Sequence, residues 1–183
     1  GRERAIKADF DANKDGVLDT EERARARVSA KESGRMRGRG GRGFPGGPPG
    51  GPPGEEAAAA PPREPSRISP SDVATYPDAA LYDLGAIRTL FLTFPQADWF
   101  EECADFYRTD VEVPATLLVD GKTFADVGIG FRGNSSYFGA GGKKKSFALS
   151  LDLVHKDQRL HGYKTLNLLN AHEDPSFLRE AIH

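Results

Sequence analysis

"VEVPATLLVDGKTFADVGIGF", residues 111–131, decides the fold class. Residues 111–119 have strand composition, and Asp120-Gly121 is a strong signal for a two-residue hairpin turn. The chain then returns through 123–131, where Val127, Ile129 and Phe131 alternate with small or polar residues. Two such runs joined by so short a turn must pair antiparallel. Pro114 cannot donate to a ladder, so it predicts an edge or a bulge in the first of them.

Outward from this hairpin the same pattern continues. "SFALSLDL" (146–153) and "KTLNLLN" (164–170) read as two further meander strands, and "AIRTLFLTF" (86–94) as a strand before the hairpin with Leu90, Leu92 and Phe94 on one face. In "QADWFEECADFY", Trp99, Phe100, Cys103 and Phe106 recur at helical spacing and predict a helix whose apolar face belongs to the core. Asp174-Pro175 is a helix start, an Asp cap followed by Pro at the first helical position. The expected fold is α+β, a small antiparallel sheet with flanking helices over residues 73–183.

Residues 1–30 predict a helix, a polar loop and a second helix. Residues 31–72 predict a disordered linker, because "RMRGRGGRGFPGGPPGGPPGEEAAAAPP" offers almost nothing for a core. The 183-residue chain carries a net charge of −2, which gives no global attraction to nucleic acid or to a membrane surface, although residues 23–42 are locally basic. Its one cysteine excludes an internal disulfide framework. No apolar run approaches membrane-spanning length. A first residue that is glycine and a last residue inside a helical pattern suggest a piece of a longer protein.

"DANKDGVLDTEE", Asp11 to Glu22, fits a calcium-binding EF-hand loop at each informative position. Asp11, Asn13 and Asp15 offer side-chain oxygens at positions 1, 3 and 5, and Gly16 permits the sharp turn at position 6. Val17 offers its carbonyl at position 7, Asp19 acts at position 9 through water, and Glu22 gives both oxygens at position 12. A hard cation that takes six to eight oxygens needs them spaced to wrap around one point. EF-hands ordinarily pair, and Leu18 at position 8 would pack on a partner loop, so a second EF-hand is an expected partner, upstream or on another molecule.

"GRMRGRGGRGF" (34–44) resembles arginine-glycine segments that bind RNA loosely, but Phe44 is its one aromatic residue, and a charged soluble linker is the favoured reading. The segment 128–151, "GIGFRGNSSYFGAGGKKKSFALSL", is more specific. Gly128, Gly130 and Gly133 match G-x-G-x-x-G, yet they lie inside a strand that leads to another strand, which excludes a dinucleotide-binding fold. A strand, glycine-rich turn and strand instead resemble the phosphate-covering hairpin of protein kinases, with a following lysine as a point cation and Arg132 as a planar fork. The alternative is a mobile hairpin tip with solvated Lys143, Lys144 and Lys145.

The order of the pieces carries a resemblance. "VPATLLVDGKTFADVGIGFRGNSS", "KKKSFALSLD", "GYKTLNLLN" and "DPSFLREAI" follow one another as in the N-terminal half of the CotH kinase family, the spore-coat-protein H type, over residues 76–183. The resemblance implies a partial kinase-like N-lobe, from an atypical kinase that uses ATP with Mg2+ or Mn2+ to phosphorylate a coat or surface protein. It places Arg132, Gly133, Asn134, Ser135 and Ser136 in the nucleotide loop and Lys144 or Lys145 at phosphate, with Lys145 preferred because it directly precedes "SFAL". Strand alternation allows only one of these two lysines to face the nucleotide. The carboxylates that hold metal and orient the attacking hydroxyl are expected beyond His183, so this piece should be inactive alone. An EF-hand joined by a Gly/Pro-rich linker resembles exported, multi-domain forms of such proteins in bacteria.

Other candidates give structural readings. Asp174 is a helix cap, and His155, His161, His172 and His183 lack metal-ligand spacing. Three functions follow: a CotH-like kinase half with a calcium-binding appendage, a non-catalytic calcium-dependent binding module, and RNA binding through the arginine-glycine segment.

Overall fold

The computed structural model describes residues 3–38, 68–133, 137 and 145–170. Among the described residues five strands form one antiparallel meander: β1 (Phe91–Thr93), β2 (Val113–Val119), β3 (Lys122–Arg132), β4 (Ser146–Ser150) and β5 (Thr165–Leu168), hydrogen-bonded in that order. The α-helices described beside them are α1 (Lys7–Phe10), α2 (Thr20–Gly38) and α3 (Trp99–Asp105), with a short 3-10 helix at Pro70–Asp72. The α+β class read from the sequence is what the chain adopts.

The β2–β3 hairpin turns at Asp120 and Gly121, with φ of 49° and 76°. Two successive positive φ values are the I′ pattern, whose twist matches that of the flanking strands. Pro114 lies in an interior strand, but β1 pairs only with Thr116–Leu118, so the proline sits past the end of β1. A register shift between Ala115 and Leu117 supplies the expected bulge.

One face of the sheet is the core. Val113, Ala115, Leu117 and Val119 are buried at every second position of β2, and Ile129 and Leu149 meet across β3 and β4. The α3 side chains Cys103 and Phe106 belong to the same cluster. Each fully buried aliphatic side chain contributes about 1.5–3 kcal/mol relative to exposure.

The strand predicted over 86–94 shrinks to Phe91–Thr93 because the chain before it wraps around one side chain. Arg88 Nε donates to Asp120 Oδ2 at 2.7 Å, Nη1 donates to the carbonyls of Ala80 and Leu81, and Nη2 to those of Tyr76 and Ala79. All five guanidinium donors are thereby used, and the Arg88 and Asp120 side chains are 5% and 7% exposed. The strand predicted over 146–153 ends at Ser150, where the chain turns, although Leu151 and Leu153 stay buried. The strand predicted over 164–170 covers Thr165–Leu168.

Two boundaries differ from the sequence reading. The helix expected to end by residue 30 continues to Gly38, so residues 31–38 are helix rather than linker. Lys31 and Glu32 favour helix, and Lys31 Nζ reaches Asp105 Oδ2 at 3.1 Å. The N-terminal unit is also no separate appendage: Leu18, Ala26 and Ala30 are buried in the same cluster as the sheet. The helix predicted from Asp174, with His172 and His183, lies outside the described residues, as does most of the 39–72 linker. Among the described residues no helix is long and apolar enough to cross a membrane.

Candidate functional site

The loop from Asp11 to Glu22 is organised by hydrogen bonds to its own carboxylates and amide. Asp11 Oδ2 accepts from Gly16 N at 2.9 Å, Asn13 Oδ1 from Asp15 N at 3.0 Å, and Asp15 Oδ1 from Val17 N at 2.8 Å. Lys14 and Gly16 adopt φ of 60° and 83°. Only glycine enters that region without steric cost, which is why position 6 needs it. Asp19 caps α2, its Oδ1 accepting from Glu21 N and Glu22 N at 2.8 Å each. Glu22 Oε2 accepts in return from Asp19 N at 3.0 Å, which completes a capping box.

Glu22 has a second role. Its Oε1 accepts from Ala12 N at 2.8 Å, so one carboxylate ties the start of the loop to its end. The side chain is buried, and only a network of donors makes a buried carboxylate tolerable. Asp11 Oδ1 is buried with no hydrogen-bond partner. An orphaned carboxylate oxygen in a loop that also carries Asn13, Asp15 and Glu22 fits a hard cation, which would satisfy it. Among the described residues no three His, Cys, Asp or Glu side chains form a metal-holding group. The Asn13 amide oxygen and the Val17 carbonyl are further oxygens that this loop type uses.

The second candidate is the end of the β3–β4 hairpin where the two strands are connected, next to the Arg132–Ser146 pair. Here Gly133 has φ of 91°, a left-handed conformation that favours glycine. Its carbonyl accepts from Tyr107 Oη at 2.5 Å. The Tyr107 and Tyr137 rings stack at 3.7 Å between centroids and 10° between planes. Lys145 Nζ donates to the Tyr137 carbonyl at 2.6 Å and lies 4.8 Å from the centre of the Tyr137 ring. Burial raises the Tyr137 pKa, with the nearby Tyr107 and Asp105 adding to it, so the phenol stays protonated. Gly133, Tyr107, Tyr137 and Lys145 therefore form one connected cluster, and Lys145 is half-buried rather than a solvated tip.

The sheet separates other predicted members. Phe131 pairs with Phe147 and Arg132 with Ser146. Alternation puts Arg132 on the face of Gly128 and Gly130, and Lys145 on the face of Phe131 and Phe147. The exposed Arg132 borders a cavity of about 300 Å³ lined also by Asp110, Glu112, Gly130 and Ala148. A Cβ on Gly128 would come within 2.8 Å of the Glu112 carboxyl carbon, and Glu112 Oε1 accepts from Ser150 Oγ at 2.5 Å. Gly128 is thus small to make room for Glu112, a packing reason rather than a phosphate-binding one. Asn134, Ser135, Ser136, Lys143 and Lys144 lie outside the described residues, and so do residues 39–44 of the arginine-glycine stretch.

Sequence reasoning missed Tyr107 and Tyr137 as members of the hairpin cluster. Tyr137 lies inside the glycine segment and Tyr107 just past α3, and that spacing does not show that they stack. Of the histidines, His155 Nε2 lies 3.1 Å from Asp126 Oδ2 at the surface, in keeping with a structural role. Comparison with protein-family models, with curated proteins and with solved structures finds no match.

Proposed function

We propose that this chain is the nucleotide-contacting half of a CotH-like phosphotransferase, carrying a calcium-binding loop against its sheet. The observation that carries the reading is Lys145, fixed at the entry to β4 by Tyr137 and joined through Tyr107 to the bent backbone at Gly133. A cation held beside a left-handed glycine suits phosphate, because backbone without side-chain bulk can approach closely and the ammonium offsets charge. ATP with Mg2+ or Mn2+ would supply the transferable phosphoryl group. The chain's own part is to orient it, with Gly133 giving access, Lys145 giving charge and the tyrosine pair holding both. Arg132 would contribute only from the other side of the sheet, toward the cavity it borders.

The test is equilibrium binding of ATP with Mg2+ to the whole chain. Binding should weaken about tenfold in Lys145→Ala, the equivalent of about 1.4 kcal/mol. Equal affinity of the variant and the wild-type chain would rule the lysine assignment out.

A second reading, a calcium-dependent binding module without catalysis, is favoured by the Glu22 bridge and the orphaned Asp11 oxygen. Calcium binding without any detectable ATP binding would select it over the kinase reading.

A further inference from the structure

The calcium loop stands in a place where an EF-hand usually meets its pair. Leu18, at loop position 8, is 3% exposed and sits in one cluster with Cys103 and Phe106. The partner it packs on is the sheet unit of its own chain. Both arms of the loop are fastened there. On the incoming side, Arg4 bridges Thr109, and Asp110 Oδ1 accepts from Ile6 N at 2.7 Å and Lys7 N at 3.0 Å, capping α1. On the outgoing side, Arg23 Nε donates to Glu102 Oε1 at 3.1 Å in a fully buried ion pair, while Arg23 Nη1 donates to the Leu18 carbonyl at 2.8 Å. Arg27 reaches Asp98 and Asp105, each at 2.5 Å.

We infer that α3 and the 108–110 segment replace a second EF-hand, so that calcium binding and the folding of the sheet unit are one linked equilibrium in a monomer. This rests on the calcium reading of residues 11–22. Arg23 is the connecting residue: one of its nitrogens holds a carbonyl inside the loop, another a carboxylate on α3. Next to Glu102, Cys103 Sγ lies 3.9 Å from the Ile129 carbonyl of β3, and beyond the end of α3 Tyr107 holds Gly133. A cation that rigidifies the loop therefore stabilises a body that includes the hairpin base. The fastening also opposes the opening of helices by which sensor EF-hands expose an apolar groove. Ala26 and Ala30, which would line such a groove, are already covered.

The experiment uses the whole chain, with Trp99 as the probe. It is the one tryptophan, it opens α3, and it stacks on Phe94 at 4.1 Å. Calcium at a hundredfold excess over its Kd should raise the melting temperature read by Trp99 fluorescence by about 5–10 °C. The chain should sediment as a monomer with and without calcium. Arg27→Ala, which cuts a partly exposed tie and leaves the loop ligands intact, should weaken calcium binding by about three- to tenfold. Calcium heat in calorimetry with an unmoved Trp99 transition would overturn the inference, as would calcium-driven dimers or an unchanged Kd in Arg27→Ala. Absence of any calcium heat would instead remove the calcium reading itself, and the inference with it.

Discussion

The Asp11–Glu22 loop and the β3–β4 hairpin end are both glycine-containing bends that present charged groups, and they are built in opposite ways. In the loop every organising hydrogen bond joins residues no more than ten apart, from Asp11–Gly16 to Ala12–Glu22. The hairpin end is held by Tyr107, which lies 26 residues before Gly133 and whose ring also stacks on Tyr137. A local site can be read off residue spacing, because the spacing is the geometry. A site assembled from distant elements depends on where the fold brings them, and its spacing says little.

Four experiments would break or sharpen this contrast, beginning with the largest effect. Arg88→Ala leaves Asp120 buried without its cation and frees the 76–81 carbonyls, so urea unfolding should show a loss of about 3–5 kcal/mol. A loss below 1 kcal/mol would mean that the long-range framework does not depend on this ion pair. Glu22→Gln removes a charge from the proposed calcium loop and weakens the bridge to Ala12, and calorimetry should show about a tenfold loss of calcium affinity, or about 1.4 kcal/mol. An unchanged affinity would show that the local network does not mark a calcium site.

Gly121→Ala places a side chain at φ of 76° in open space, so the expected cost is backbone strain alone, about 1 kcal/mol in urea unfolding. The smallest effect at neutral pH concerns Cys103. Burial, with the adjacent Glu102 charge adding to it, pushes its thiol up to about 12. Alkylation at pH 8 should be negligible until the chain is unfolded. The folded pKa lies above the ordinary value of 9.0, so the protonated fold is favoured most below about pH 9 and that contribution falls as pH rises towards 12. Rapid alkylation of the native chain would show that α3 opens readily from the sheet.

The β2–β3 hairpin was legible because Asp-Gly fixes a turn type and alternation fixes the faces, and the structure has both. Pro114 was legible as a place where a ladder must stop on one side, and β1 pairs with β2 only as far as Thr116. The shortened β1 was not legible, since Arg88 reads as one charged residue in an otherwise apolar run, and its burial depends on Asp120 and four carbonyls arriving from elsewhere. The hairpin lysine was legible as a charge. That Lys145 and Arg132 fall on opposite faces could be read from the pairing of Arg132 with Ser146, a register that only the folded sheet defines.

By itself the sequence determined the meander, its central turn and the loop of oxygen donors, since each depends on neighbours within a few residues. Tertiary structure alone decided that Leu18 of the loop packs into one cluster with Cys103 and Phe106, and that two tyrosines connect Gly133 to Lys145. Burial of Leu18, and the pairing of Arg23 with a carboxylate 79 residues away, arise from surfaces that exist only once helix and sheet have come together.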